Sequence, residues 1–133
     1  MPESGLVTLP GEHDFGTTLT RLTTVLDAKV ITIFARIDHA AGAADVGLAL
    51  RPTTLVVFGN PAAGTPLMQA EQTAGIDLPL KALVWQDAEG TVNLTYNNLS
   101  WAAARHSIGD TVAPAVAGLH AGLDALARHA TGA

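Results

Sequence analysis

Cysteine is absent from the sequence. That excludes disulfides, thiolate catalysis and Cys-ligated zinc or iron–sulfur centres, and leaves the redox compartment open. Basic residues are few: seven Lys and Arg stand singly against twelve Asp and Glu, for a formal net charge of -5. Phosphate contacts need a clustered positive face, so nucleic acid is not an expected partner. No apolar run approaches the roughly 18 residues of a membrane span, and the opening Met1-Pro2-Glu3-Ser4-Gly5 is acidic where a signal peptide would be basic. No membrane association and a cytoplasmic location are therefore the expectations. No serine stands in a G-x-S-x-G nucleophile setting, and no metal-hydrolase or redox fingerprint is present.

What is there is apolar. Hydrophobic residues make up 48% of the chain and charged residues only 14%, which describes a packed body with a sparsely charged exterior, a composition that favours self-association. A length of 133 residues is expected to form one domain, 1–133, burying roughly two-thirds of its unfolded surface. No internal repeat or linker divides it.

The organising stretch is Thr53 to Gln69. Leu55 to Phe58 run without a break into Gly59-Asn60-Pro61, and Thr65-Pro66 reads as an N-cap and first helical position, so a buried strand feeds a loop and a helix start. Before it, Leu6-Val7-Thr8-Leu9 is a first strand or arm within residues 1–13. Asp14 then caps a helix striped by Leu19, Leu22, Val25 and Leu26. Val30 to Asp38 alternates, with Ile31, Ile33, Ala35 and Ile37 on one face and Thr32, Phe34, Arg36 and Asp38 on the other. Ala40 to Leu50 reads as a short helix. Leu80 to Gln86 and Thr91 to Asn97 flank Asp87-Ala88-Glu89-Gly90 as a hairpin, with Val92, Leu94 and Tyr96 facing one way and Asn93, Thr95 and Asn97 the other. Ser100 caps a short helix through His106. A long helix follows, with Pro114 in its first turn, a stripe of Val112, Val116, Leu119, Leu123 and Leu126, and an outer Asp124–Arg128 pair. The expected class is α+β: an antiparallel sheet of four or five strands with two longer helices on one face.

Several runs together resemble a known family. Arg36-Ile37-Asp38-His39-Ala40-Ala41-Gly42, Leu50-Arg51-Pro52-Thr53, Phe58-Gly59-Asn60-Pro61 with Gly64-Thr65-Pro66-Leu67-Met68, Asp77-Leu78-Pro79-Leu80-Lys81, Trp85-x-Asp87-x-x-Gly90 and Tyr96-Asn97 are similar to the domain-of-unknown-function family 302, across residues 14 to 130. The resemblance implies a β-α-β-β-β-β-α domain of the TATA-binding-protein-like group, often a homodimer. It implies no biochemical activity, and fold does not fix function.

Candidate chemistry gathers at two places. Arg36, Asp38 and His39 stand at a strand end, where Asp38 could orient the His39 imidazole toward a ligand; equally, Arg36 and Asp38 could form an ion pair while His39 caps the next helix. The glycines Gly59 and Gly64 have the G-x-x-x-x-G spacing of a phosphate loop, but Thr65-Pro66 replaces the lysine and hydroxyl that a triphosphate needs, so nucleotide hydrolysis is not expected. His39 and Met68 could supply axial ligands to haem or a soft copper site, although Met68 also suits a core position. Trp85, Trp101 and Tyr96 suit a core, a pocket or a dimer contact. Arg105 and His106 suit a helix C-terminus, and His120 and His129 fall outside the apolar stripe and are expected to be exposed.

The favoured expectation is a non-catalytic small-ligand-binding or accessory homodimer, with a pocket near the ends of the 30–38 and 54–60 strands. Arg36, Asp38 and His39 would hold a polar group there, and Asn60, Thr65 and Gln69 would close the rim. The rivals are a haem- or copper-binding protein or enzyme using His39, and a structural dimer acting through protein partners.

Overall fold

The computed structural model describes residues 4–132; the acidic opening Met1-Pro2-Glu3 lies outside them. Strand β1 is Leu6–Pro10, and Asp14 opens helix α1 (Phe15–Ala28) by accepting the Thr17 amide at 2.7 Å. Helix α1 turns Thr18, Leu22 and Leu26 inward, as spacings of four residues require. Strands β2 (Thr32–Asp38), β3 (Thr53–Gly59), β4 (Leu80–Gln86) and β5 (Val92–Asn97) join β1 in one antiparallel sheet, ordered β1-β5-β4-β3-β2. Short helices α2 (His39–Asp45) and α3 (Pro61–Ala70) flank β3, and α4 (Leu99–Arg105) leads to the long α5 (Ala113–Thr131).

Helices α1 and α5 pack together on one face of the sheet. Val56, Phe58, Val84 and Leu94 meet Leu22, Leu26, Leu123 and Leu126 there, none more than 4% exposed. Each such side chain contributes about 1.5–3 kcal/mol on burial, so this helix-on-sheet layer holds the fold. The class is α+β, a five-stranded antiparallel sheet with its two longer helices on one face.

The register also defines the opposite face: Ala35 and Ile37 of β2, Leu55 and Val57 of β3, Leu83 and Trp85 of β4, Thr95 of β5 and Thr8 of β1. A short polar ladder crosses it. The Trp85 indole donates to Thr95 Oγ1 at 2.9 Å, and the Thr95 and Thr8 hydroxyls meet at 2.8 Å.

Four local expectations are corrected. The register of β2 shifts between Ile33 and Ala35, so Phe34 is an extra residue. Ile31 and Ile33 therefore pack on the helical side while Ala35 and Ile37 turn to the other face, because a bulge reverses every side chain beyond it. Val30 is not in the strand. It holds φ 57, and the amides of Val30 and Ile31 bond back to the carbonyls of Asp27 and Leu26 at 3.0 and 2.9 Å, the hydrogen-bond pattern of a Schellman helix end. Helix α3 begins at Pro61 with Asn60 as its cap, leaving Thr65 and Pro66 inside the helix. Asn98, not Ser100, caps α4 by accepting the Trp101 amide.

Candidate functional site

The last residue of β3, Gly59, sits where chains crowd. A Cβ there would stand 3.3 Å from Pro79 Cβ and 3.6 Å from the Phe34 ring, closer than the first neighbour can allow without moving. The strand can therefore run tight under Pro79 and then turn at Asn60. Asn60 Oδ1 accepts the Ala62 amide at 2.9 Å, and Pro61 occupies the first turn, where its missing N–H costs nothing. Around this turn lies an open cavity of about 260 Å³. Its walls are Phe34, Met68, Leu78, Pro79, Leu80 and Leu119, and its polar side chains are Asn60 and Thr65. A second hollow, about 380 Å³, shares Gly59, Asn60, Leu80 and Leu119 and is lined further by Ala115, Gly118 and Gly122 of α5 and by Lys29 and Ile31.

The six residues singled out in the sequence are not brought together. Asn60 and Thr65 line the cavity, whereas Gln69 is exposed on α3 and does not. Arg36, Asp38 and His39 stand at the other end of the sheet, because β2 runs antiparallel to β3 and sets Thr32 against Gly59 but Asp38 against Thr54. At about 3.3 Å per residue the two ends are roughly 20 Å apart. Asp38 Oδ1 accepts the Ala41 amide at 2.9 Å and so caps α2, His39 is the exposed first residue of that helix, and no ion pair joins Arg36 to Asp38. Met68 lies at the cavity end and packs over Gly75, so it forms no ligand pair with His39. Among the described residues no cluster of three or more His, Asp or Glu could hold a metal ion. The G-x-x-x-x-G spacing also loses its anion loop: Gly64 is helical, and the Asn60 side chain already takes the first free amide.

Of two further polar networks, only the Asp124–Arg128 pair was legible from spacing. Asp77 bonds the His106 Nε2 and pairs with Arg105 at 3.1 Å, while His106 Nδ1 meets Thr73 Oγ1 at 3.0 Å. Hydroxyl, imidazole and carboxylate stand in the order of a nucleophile relay. A hollow of about 10 Å³, room for no more than a water, adjoins Asp77 and His106 but not Thr73, which is exposed; the bonds clamp the end of α4 to the 3-10 turn Gln72–Ile76. On the helical side of the sheet, the Tyr96 hydroxyl donates to Asp124 at 2.6 Å, and Arg128 pairs with the same carboxylate at 2.8 Å. Burial, reinforced by the Asp124 bond, holds the Tyr96 phenol well above its usual range; the Tyr96 bond and then Arg128 hold Asp124 below the usual carboxylate range. His120 is half-buried, not exposed as its position outside the stripe implied. Its ring centroid lies 6.2 Å from that of Tyr96, and its Nδ1 is buried without a partner among the described residues.

Comparison with known proteins fixes the family. The model of the family described as "Domain of unknown function DUF302" matches residues 7–126. The chain is 42% identical over 130 residues to a protein named fluoride-specific ion channel FluC 1 in Brucella suis biovar 1, covering 98% of this chain and 51% of that one. It is equally similar to FluC 2 of Brucella melitensis biotype 1, covering 98% and 48%. The chain thus spans about half the length of the curated relatives it matches. Among solved structures, the crystal structure of an uncharacterized conserved DUF302 protein from Bacillus stearothermophilus superimposes with a TM-score of 0.84 at 16% identity, over 95% of this chain and 98% of that one. That likeness establishes the shared fold, and the family match over most of the sequence establishes the membership: the chain belongs to the DUF302 family.

Proposed function

We propose that the chain is a non-catalytic binding module that takes a small, largely apolar ligand in the cleft between Gly59–Asn60, α3, the start of β4 and α5. The observation that carries this reading is the make-up of the 260 Å³ cavity: an apolar wall with Asn60 and Thr65 as its polar side chains and no titratable group. General acid–base catalysis needs a titratable side chain within reach and nucleophilic catalysis needs an activated nucleophile, whereas concave apolar sites with a few polar groups are the usual form of ligand pockets. The relatives support an accessory role. No helix of the described residues is long and apolar enough to cross a membrane, so we infer that the channel in the FluC relatives belongs to the half this chain does not match. The matched half would then be an attached module.

Isothermal titration with octan-1-ol tests the cleft. Saturable one-to-one binding is expected for the wild type. Gly64→Leu should weaken it about tenfold or more, a loss of roughly 1.4 kcal/mol. A Cβ at Gly64 meets only Leu78, at 3.6 Å, so this variant fills the cavity without distorting the helix. Absence of saturable heat, or equal affinity in Gly64→Leu, would overturn the reading.

A second reading, homodimerisation, is favoured by a separate observation. Around the edge strand β2, Ile37, Val46, Leu48 and Leu50 are 43–72% exposed, and an apolar cluster beside an unpaired strand edge is the kind of surface a second copy covers. Light scattering after gel filtration should give a dimer for the wild type and a monomer for Ile37→Lys; a monomeric wild type would exclude it.

A further inference from the structure

We propose that the ligand of this cleft is an amphiphile with an anionic end, a monocarboxylate on a flexible apolar chain, and that Lys29 receives the carboxylate. The proposal rests on the apolar-cleft reading above and adds the chemical class of the ligand.

Three observations carry it. The two hollows meet at Gly59, Asn60, Leu80 and Leu119, so an extended apolar chain can occupy both. Lys29, three residues before the Thr32 that pairs with Gly59, is the one titratable side chain in either lining, and no carboxylate lines them; nor does Lys29 pair with any acid among the described residues. The shared wall, finally, offers donors. Asn60 Oδ1 is committed to the Ala62 amide, which leaves its side-chain N–H groups for a ligand. An ammonium with three N–H and an amide with two, lining a trough whose one other polar side chain is the Thr65 hydroxyl, match a group that only accepts hydrogen bonds and carries negative charge. The local chain geometry fits the same use. The reversal at Val30 ends α1 at Lys29 and sends Ile31 into the wall of the second hollow. On the facing side, a Cβ at Gly118 or Gly122 would meet nothing within 4 Å, so this part of the trough is open.

The test is titration of the intact chain near neutral pH with octanoate, octan-1-ol and octyltrimethylammonium, using the wild type, Lys29→Met and Gly122→Leu. Octanoate is expected to bind about tenfold more tightly than the alcohol, the scale of one charge-assisted hydrogen bond at a partly exposed site, and the ammonium more weakly than either. Lys29→Met keeps the apolar stem and should bring octanoate down to the level of octan-1-ol while leaving the alcohol unchanged, a discrimination that a lysine serving only the dipole of α1 would not produce. Gly122→Leu fills the trough and should weaken octanoate and alcohol alike. If octan-1-ol binds and octanoate gains nothing, or the preference survives Lys29→Met, the anionic ligand is overturned and the apolar cleft stands. If none of the three binds, both fall.

Discussion

Val30→Gly should stabilise the protein. Val30 holds φ 57 at the end of α1 and is 87% exposed. A left-handed backbone brings the Cβ too close to the following carbonyl, at about 1–2 kcal/mol for an L-residue; removing the side chain relieves that. Against the gain stands the greater freedom of glycine in the unfolded chain, about 0.4–1 kcal/mol, while an almost fully exposed Val surrenders little burial. The expected net is about 0.5–1 kcal/mol in favour of Val30→Gly, which for a chain of this size raises Tm by about 2–4 °C. The molecule supplies its own control. Helix α2 ends the same way, with Gly47 at φ 77 and the amides of Gly47 and Leu48 bonded to the carbonyls of Ala44 and Ala43. A Cβ at Gly47 would meet nothing within 4 Å, so Gly47→Val tests the backbone alone and, after the same unfolded-chain offset, should cost about 0.5–1 kcal/mol. Urea unfolding of the three proteins decides. A less stable Val30→Gly, or a neutral Gly47→Val, would refute the reasoning.

Three further outcomes follow from the same geometry. Asp38→Ala should lose about 1 kcal/mol by removing the cap of α2, whereas Arg36→Ala and His39→Ala should each stay within about 0.5 kcal/mol of wild type; a large loss in His39→Ala by thermal melting would show a role that the exposed position does not provide. Acid should destabilise the fold in a defined window. Asp14, bonded by the Thr17 amide, and Asp124, bonded by Tyr96 and Arg128, both titrate below the usual carboxylate range; at Asp87 partial desolvation pushes upward, but bonds from Asn93 and the Thr91 and Glu89 amides outweigh it. Depressed folded values mean that the unfolded chain binds protons first, so the contribution is complete above about pH 4 and is lost as pH falls through the lower folded values. The urea midpoint should fall below that point, and less steeply in Asp124→Asn; an identical slope in the variant would contradict the assignment. Phe58, fully buried, should cost about 3–5 kcal/mol on truncation to Ala, and a loss under 1 kcal/mol in urea would mean that the core is not where it is described.

Patterns set by burial were legible in the sequence. The alternation of Val92, Leu94 and Tyr96 and the stripe of Val116, Leu123 and Leu126 fall on buried faces, because one-sided burial imposes periods of 2.0 and 3.6 on any chain. Asp14 as a cap was legible for a similar local reason. The bulge at Phe34 was not, since one extra apolar residue in an apolar alternation leaves no mark. The start of α3 was ambiguous because Asn60-Pro61 and Thr65-Pro66 are both a capping residue followed by proline; the structure takes the first, directly after β3. Leu119 belongs to the α5 stripe yet lines the cavity, which only the packing of α3 against α5 determines. Asn60 and Thr65 could be found by their place after a buried strand. Arg36, Asp38 and His39 do not join them because, although an antiparallel sheet was expected, which strands are neighbours was not legible, and the antiparallel pairing of β2 with β3 puts the two groups at opposite ends. The Thr73–His106–Asp77 network depends on a turn and a helix far apart in the chain and has no spacing to betray it.

The most direct test of the binding site is its location. In nuclear Overhauser spectra of the protein with saturating octan-1-ol, the ligand methylenes should contact the Met68 methyl and the methyls of Leu78, Leu80 and Leu119, which wall the cavity. Contacts confined to Leu55, Leu83 and Trp85 on the far face of the sheet, or none at all, would contradict a ligand site at Gly59–Asn60.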